Sequence, residues 1–112
     1  MPVENWPTNA KIYKIWWRDS EDCYVGHTRN PLLSQRMSGH RANVKRGKPA
    51  LVYAAIRRNG PFQYDLLETV FCQNFDEARS HERRWAENLG SNLNAFRPIV
   101  TEDEKRETKL DE

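Results

Sequence analysis

Six polar residues stand out by type and spacing. Tyr13 and Tyr24 fall in two apolar segments close enough to form a hairpin. Cross-strand neighbours there lie about 5 Å apart, so two hydroxyls on one face can meet. Arg36 and His40 are four residues apart, and a helix presents them to one side. Glu82 falls on the apolar stripe of a helical segment, beside Trp85, where an unpaired buried carboxylate is costly. Asn94 sits in an otherwise apolar turn, Leu93-Asn94-Ala95-Phe96. Hydrolysis of a phosphodiester needs an acid or metal ligand, a cation for the oxygens that gain charge, and a proton acceptor. Glu82, Arg36 and one of Tyr13, Tyr24 or His40 would supply these. Spacing by itself does not show that they converge. Taken singly, the tyrosines read as sheet residues, and Arg36 and His40 as surface or capping groups. Glu82 reads as a salt-bridge partner of Arg79 or Arg83, and Asn94 as a turn residue bonding its own backbone. His27, His81, Cys23, Cys72 and Met37 read as structural.

The elements that must position these residues follow from pattern. Lys11 to Trp17 (KIYKIWW) and Cys23 to Thr28 (CYVGHT) read as two strands of a hairpin with a loop of about five residues. Strict alternation places Tyr13 and Ile15 on one face, Ile12 and Lys14 on the other, and Trp16 and Trp17 on opposite faces, one of them partly exposed. A helix is expected to begin at Pro31 after Asn30, whose side chain can cap free amides, and to run to about Arg46 before Gly47. A second helix spans Ala50 to Arg58, ended by Asn59-Gly60-Pro61. Phe62 to Cys72 is rich in strand formers. Asn74 to Leu89 is the clearest helix, with Ala78, His81, Glu82, Trp85 and Leu89 as its stripe, Asp76 and Glu77 in its first turn and Gly90 as its stop. Ser91 to Val100 reads as irregular packed chain. The order β-β-α-α-β-α gives an α+β domain, a small three-stranded antiparallel or mixed sheet flanked by helices. It occupies residues 10–100. Residues 1–9 precede it as an extended segment with Trp6 on the domain edge, and residues 101–112 form an acidic, disordered tail.

Composition narrows the class. The 112 residues suit one domain, and 11% aromatics with 38% hydrophobic residues do not describe a disordered chain. The longest uncharged apolar run, Ala50 to Ile56, is far short of the roughly 20 residues of a membrane helix. Met1 leads into Pro2 and Glu4 without the basic and apolar regions of a secretory signal, so an intracellular protein is expected. Two cysteines without metal spacing read as reduced thiols, a 23–72 disulfide being the lesser alternative. The net charge of +2 conceals a division: residues 1–60 carry +7 and residues 61–112 carry −5. Between Arg29 and Arg58 lie Arg29, Arg36, Arg41, Lys45, Arg46, Lys48, Arg57 and Arg58 and no acid, a field that attracts a polyanion.

The order of these residues resembles the GIY-YIG nuclease superfamily. Lys11-Ile12-Tyr13 stands for the first element and Tyr24-Val25-Gly26 for the second. Arg36 and His40 follow on the next helix. Tyr53-Ala54-Ala55 through Asn59-Gly60 matches the aromatic, Ala-rich segment, Glu82 the metal-binding glutamate and Asn94 the late asparagine. The resemblance covers roughly residues 10–97. Lys11 replaces the usual first glycine and Val25 an isoleucine, and neither change removes a catalytic group. The resemblance implies hydrolysis of double-stranded DNA with one divalent ion, Mg²⁺ or Mn²⁺, held chiefly by Glu82. Tyr13 is then the favoured general base, although the residues alone leave His40 equally open. A free tyrosine has a pKa near 10 and needs a metal, a cation or a hydrogen-bonded partner to accept a proton near neutrality. Tyr24 would orient water or bond a phosphate oxygen, Arg36 would stabilise the phosphate, His40 would relay a proton or bind phosphate, and Asn94 would brace the site.

No separate DNA-reading domain fits in this length. Phosphate contacts from Arg29, Arg41, Lys45, Arg46, Lys48, Arg57 and Arg58 position a duplex without specifying bases. The expectation is weak intrinsic specificity, or specificity supplied by a homodimer or a separate partner, with exposed aromatics near Trp6, Trp16 and Trp17 as an interface. Three other readings compete: a non-catalytic nucleic-acid-binding module, a nuclease for RNA or branched and damaged DNA, and a protein with no nucleic-acid role.

Overall fold

A computed structural model describes residues 6–94. The expectations for residues 1–5 and for residues 95–112, the acidic tail included, lie outside the described residues. Six elements follow in the order β1 (Thr8–Trp17), β2 (Ser20–Thr28), α1 (Leu33–Lys45), α2 (Leu51–Asn59), β3 (Gln63–Cys72) and α3 (Phe75–Leu89). The sheet has the order β2-β1-β3, and both pairings are antiparallel. Among the described residues there is no parallel pairing.

β1 is central because its sequence is apolar on both faces, the pattern of a strand covered from two sides. Tyr13, Ile15 and Trp17 face α1 and α2, packing with Met37, Val52, Tyr53, Ala55 and Phe62. Ala10 and Ile12 face the other way. Ala10 meets Cys72 and Ala78, and Ile12 meets Val25 and Ala86, so α3 covers that face. Each fully buried side chain of this size contributes about 1.5–3 kcal/mol. α3 opens on Asn74, whose Oδ1 accepts the Glu77 amide at 2.9 Å, and closes at Gly90 with φ +62.

Several boundaries differ from expectation. The hairpin turns in two residues, Arg18 and Asp19, instead of five. Ser20 pairs with Trp17, and the register shifts between Trp16 and Trp17. Asp22 stays in β2 because Arg58 Nη2 and Asn59 Nδ2 donate to its Oδ2 and Asn92 Nδ2 donates to its Oδ1. These donors, Arg58 first, hold its carboxyl well below the usual carboxylate range. β1 starts at Thr8, inside the segment expected to precede the domain, because Thr8 and Asn9 pair with Cys72 and Phe71. α1 starts at Leu33. The Asn30 side chain accepts the Leu32 amide in the turn before it and does not cap the helix. On α3 the stripe ends early: Ala86 is buried while Leu89 is exposed.

Cys23 and Cys72 lie on the two outer strands with β1 between them, and both are free thiols. This removes the 23–72 disulfide. Trp17 is buried, its Nε1 donating to the Gly60 carbonyl at 2.9 Å, so it is not an exposed interface aromatic. Trp6 and Trp16 are half-buried. Among the described residues no helix is long and apolar enough to cross a membrane.

Candidate active site

The hairpin brings Tyr13 and Tyr24 together through a glycine. Tyr13 pairs with Gly26 and Ile15 with Tyr24, so the tyrosines are diagonal neighbours on one face, their ring centres 6.4 Å apart. The Tyr13 ring crosses the space left by Gly26. A Cβ there would lie 2.6 Å from the Tyr13 hydroxyl, 2.7 Å from its Cζ and 2.8 Å from Tyr24 Cε2. No other residue type leaves that room.

α1 lays His40 over the pair. Its ring centre is 5.9 Å from that of Tyr13 and 6.0 Å from that of Tyr24, and its side chain is buried. His40 Nε2 is 2.6 Å from the Tyr13 hydroxyl, and Nδ1 is 3.2 Å from the hydroxyl of Tyr53 on α2. Tyr53 in turn accepts a hydrogen bond from Asn43 Nδ2 at 2.8 Å. Burial, helped by the nearby Arg36 charge, pushes the His40 pKa down to about 4. The ring is therefore neutral at pH 7, with one nitrogen donating and one accepting. Asn43 only donates and so anchors one end of the line, while the Tyr53–His40–Tyr13 part can direct its protons either way.

Arg36, one turn before His40, is half-buried, and its charge acts on the Tyr13 hydroxyl. Partial burial works against its charge, yet the phenol oxygens of Tyr13, Tyr24 and Tyr53 hold its pKa above the ordinary guanidinium value. Burial pushes Tyr13 up to about 12 despite Arg36, and pushes Tyr24 up further, with Tyr13 and Glu82 adding to the rise.

Glu82 approaches from the opposite face of the sheet. His27 pairs with Ile12 and so faces α3, where its Nδ1 lies 2.8 Å from Glu82 Oε1. The carboxylate is buried, and its charge reaches both Tyr13 and Tyr24. Tyr13, Tyr24, Arg36 and His40 thus form one cluster, with Glu82 near it on the α3 side. Among the described residues no three His, Cys, Asp or Glu side chains gather closely enough to hold a metal ion.

Asn94 touches backbone and not the reacting groups. Its Oδ1 accepts the Val25 amide at 2.8 Å and its Nδ2 donates to the Val25 carbonyl at 2.6 Å. Ser91 Oγ and the Leu93 amide donate to the Cys23 carbonyl, and Asn92 Oδ1 accepts the Cys23 amide. Segment 91–94 thereby completes the open edge of β2, which would otherwise carry unpaired groups. Asn94 fixes Val25, the residue between Tyr24 and Gly26.

The basic residues divide by partner. Lys45, Arg46 and Lys48 are exposed around the end of α1. Arg29 lies 5.2 Å from the Trp6 ring centre and Arg41 5.1 Å from that of Phe62. Arg57 Nη2 donates to the Val44 and Lys48 carbonyls, tying the turn between α1 and α2, and Arg58 is bound to Asp22 at 2.7 Å. The last two bond within the fold while their side chains stay exposed.

Sequence reasoning did not assign Asn43, Tyr53, Gly26 or His27 to the site. Asn43 follows His40 by three residues, one turn along the same face of α1, and that was the available signal. Tyr53 read as part of a motif segment, and His27 as structural. The sequence over residues 9–94 matches the family described as the GIY-YIG catalytic domain. Comparison with curated proteins and with solved structures gave no match. Since that match spans most of the chain and takes in both strands of the tyrosine pair, this protein belongs to the GIY-YIG family of nuclease domains.

Proposed function

We propose that this protein is a metal-dependent endonuclease hydrolysing phosphodiester bonds of double-stranded DNA. The observation that carries this reading is the hydrogen-bonded line from Tyr13 through His40 and Tyr53 to Asn43, beside the Arg36 guanidinium. With its pKa raised to about 12, Tyr13 holds little phenolate at neutral pH. It acts as general base by relay. Its oxygen takes the proton of the attacking water while its own proton passes to His40 Nε2, which requires the neutral tautomer with Nδ1–H directed at Tyr53. His40, with its lowered pKa, holds that proton only in passing and releases it to solvent. The water oxygen bonds to phosphorus, and the leaving oxygen departs to be protonated by solvent. Arg36 donates to the phosphate oxygens that gain charge, where its planar fork has an advantage over lysine. Tyr24 orients the water or bonds a phosphate oxygen.

Glu82 is the residue to hold the ion, Mg²⁺ or Mn²⁺. Its buried carboxylate is held by His27, the kind of partner that orients a ligating group. One carboxylate fits an ion that keeps several waters and takes other ligands from substrate phosphate. Such an ion, when bound, polarises the phosphate and offsets its developing charge. Arg29, Arg41, Lys45, Arg46 and Lys48 address phosphates, which gives low sequence specificity. One site cuts one strand. A double-strand break takes a homodimer or two successive encounters, and sequence choice falls to a separate partner.

The test is supercoiled plasmid incubated with the protein and Mg²⁺, Mn²⁺ or EDTA. Metal-dependent nicking is expected. A plasmid retarded at low salt but left intact with either metal would favour a binding module instead.

A further inference from the structure

Lys11 stands where the family pattern carries its first glycine, and it is a cation this chain adds. It lies on the same face of β1 as Tyr13, two residues and about 6.6 Å along the strand. It lines an open groove of about 260 Å³ together with Thr8, Asn9, Arg29, Asn30 and Thr69. No acid borders this groove, and among the described residues no carboxylate pairs with Lys11 or Arg29. Arg29 is steadied over the Trp6 ring, its Cζ 5.2 Å from the ring centre. Lys11 and Thr69 pair across β1 and β3, and Lys11 and Thr28 across β1 and β2, so the Lys11 position is fixed by the sheet. Two cations and several neutral polar side chains around an opening that begins two strand residues from Tyr13 form a site for a singly charged phosphodiester.

We infer that Lys11 and Arg29 form a second phosphate subsite, which holds the DNA backbone next to the bond presented to Tyr13. The inference rests on the nuclease reading for its ligand, but its test does not depend on cleavage. Binding of a labelled DNA duplex is measured by fluorescence anisotropy in EDTA over a series of salt concentrations. The proteins are wild type, Lys11→Gln, Lys11→Arg and Arg29→Gln. Each neutral variant should bind several-fold more weakly, with the slope of log K against log salt reduced by roughly 0.9 for each phosphate no longer neutralised. Lys11→Arg should keep the wild-type slope, which separates charge from strand packing. Unchanged affinity and slope in both neutral variants would overturn the subsite while leaving the nuclease reading intact. Reduced slopes in a protein that never cuts plasmid would keep the subsite and remove that reading.

Discussion

The Tyr13 hydroxyl and His40 Nε2 are 2.6 Å apart inside the fold, and His40 is held from its other nitrogen by Tyr53. A buried imidazole with both nitrogens engaged has its tautomer chosen by its partners. Removing the Tyr13 hydroxyl in Tyr13→Phe should lower single-turnover cleavage by about 10²–10⁴-fold, the range for loss of a general base. Tyr53→Phe leaves Tyr13 in place and should reduce the rate less. It should also change the ¹⁵N shifts of His40, because the partner of Nδ1 is lost.

Gly26 sets the height of the Tyr13 ring. In Gly26→Ala the added methyl would meet the Tyr13 hydroxyl and Cζ and the Tyr24 ring at 2.6–2.8 Å. The expected cost is about 1–3 kcal/mol of stability from overpacking. Cleavage should fall at least about tenfold, because displacement of a reacting group by about 1 Å costs up to two orders of magnitude. Chemical denaturation and single-turnover rates check the two effects separately.

The neutral His40 makes stability depend on pH. Its folded pKa is depressed to about 4 from the ordinary 6.5 by burial first and by Arg36 second. The unfolded chain therefore binds more protons between these values. The contribution is fully present above pH 6.5 and is lost as pH falls toward 4, with a ceiling on the order of 3 kcal/mol. Urea unfolding of wild type at pH 7 and pH 4.5 should show a larger drop than His40→Gln shows over the same interval.

Asn94 closes the open edge of β2 with two hydrogen bonds to Val25. Asn94→Ala leaves that amide and carbonyl to water or unpaired, at a cost of about 1–3 kcal/mol. Amide exchange at Val25 should accelerate more than exchange in α2, which Asn94 does not touch.

Much of this arrangement was legible in the sequence. The β-β-α-α-β-α order followed from apolar periodicity and from turn residues such as Asn59-Gly60-Pro61, and Tyr13, Ile15 and Trp17 do share a face. The hairpin length was not legible, because Ser20, Glu21 and Asp22 are polar and read as loop. Asp22 is held in β2 by Arg58, Asn59 and Asn92, which are distant in sequence. The same ion pair ties Arg58 to Asp22, and Arg57 bonds the carbonyls of Val44 and Lys48, although both side chains stay exposed. Tyr53 looked like core because it is core: its ring belongs to the cluster with Met37 and Val52, and both its ring and its hydroxyl meet His40. Glu82 was recognisable as an acid on an apolar stripe, but its partner is His27, on a strand whose facing only the sheet register decides.

The most direct measurement is single-turnover cleavage of a labelled duplex with Mg²⁺ by wild type, Glu82→Gln and Arg36→Ala, with duplex binding measured in parallel. Glu82→Gln keeps the shape of the side chain and removes the charge that would hold the ion. The expected result is a loss of at least about 10²-fold in rate in both variants, equivalent to about 2.7 kcal/mol or more, with the duplex still bound. Cleavage by Glu82→Gln at the wild-type rate would contradict a metal-dependent nuclease site built on Tyr13, Arg36, His40 and Glu82.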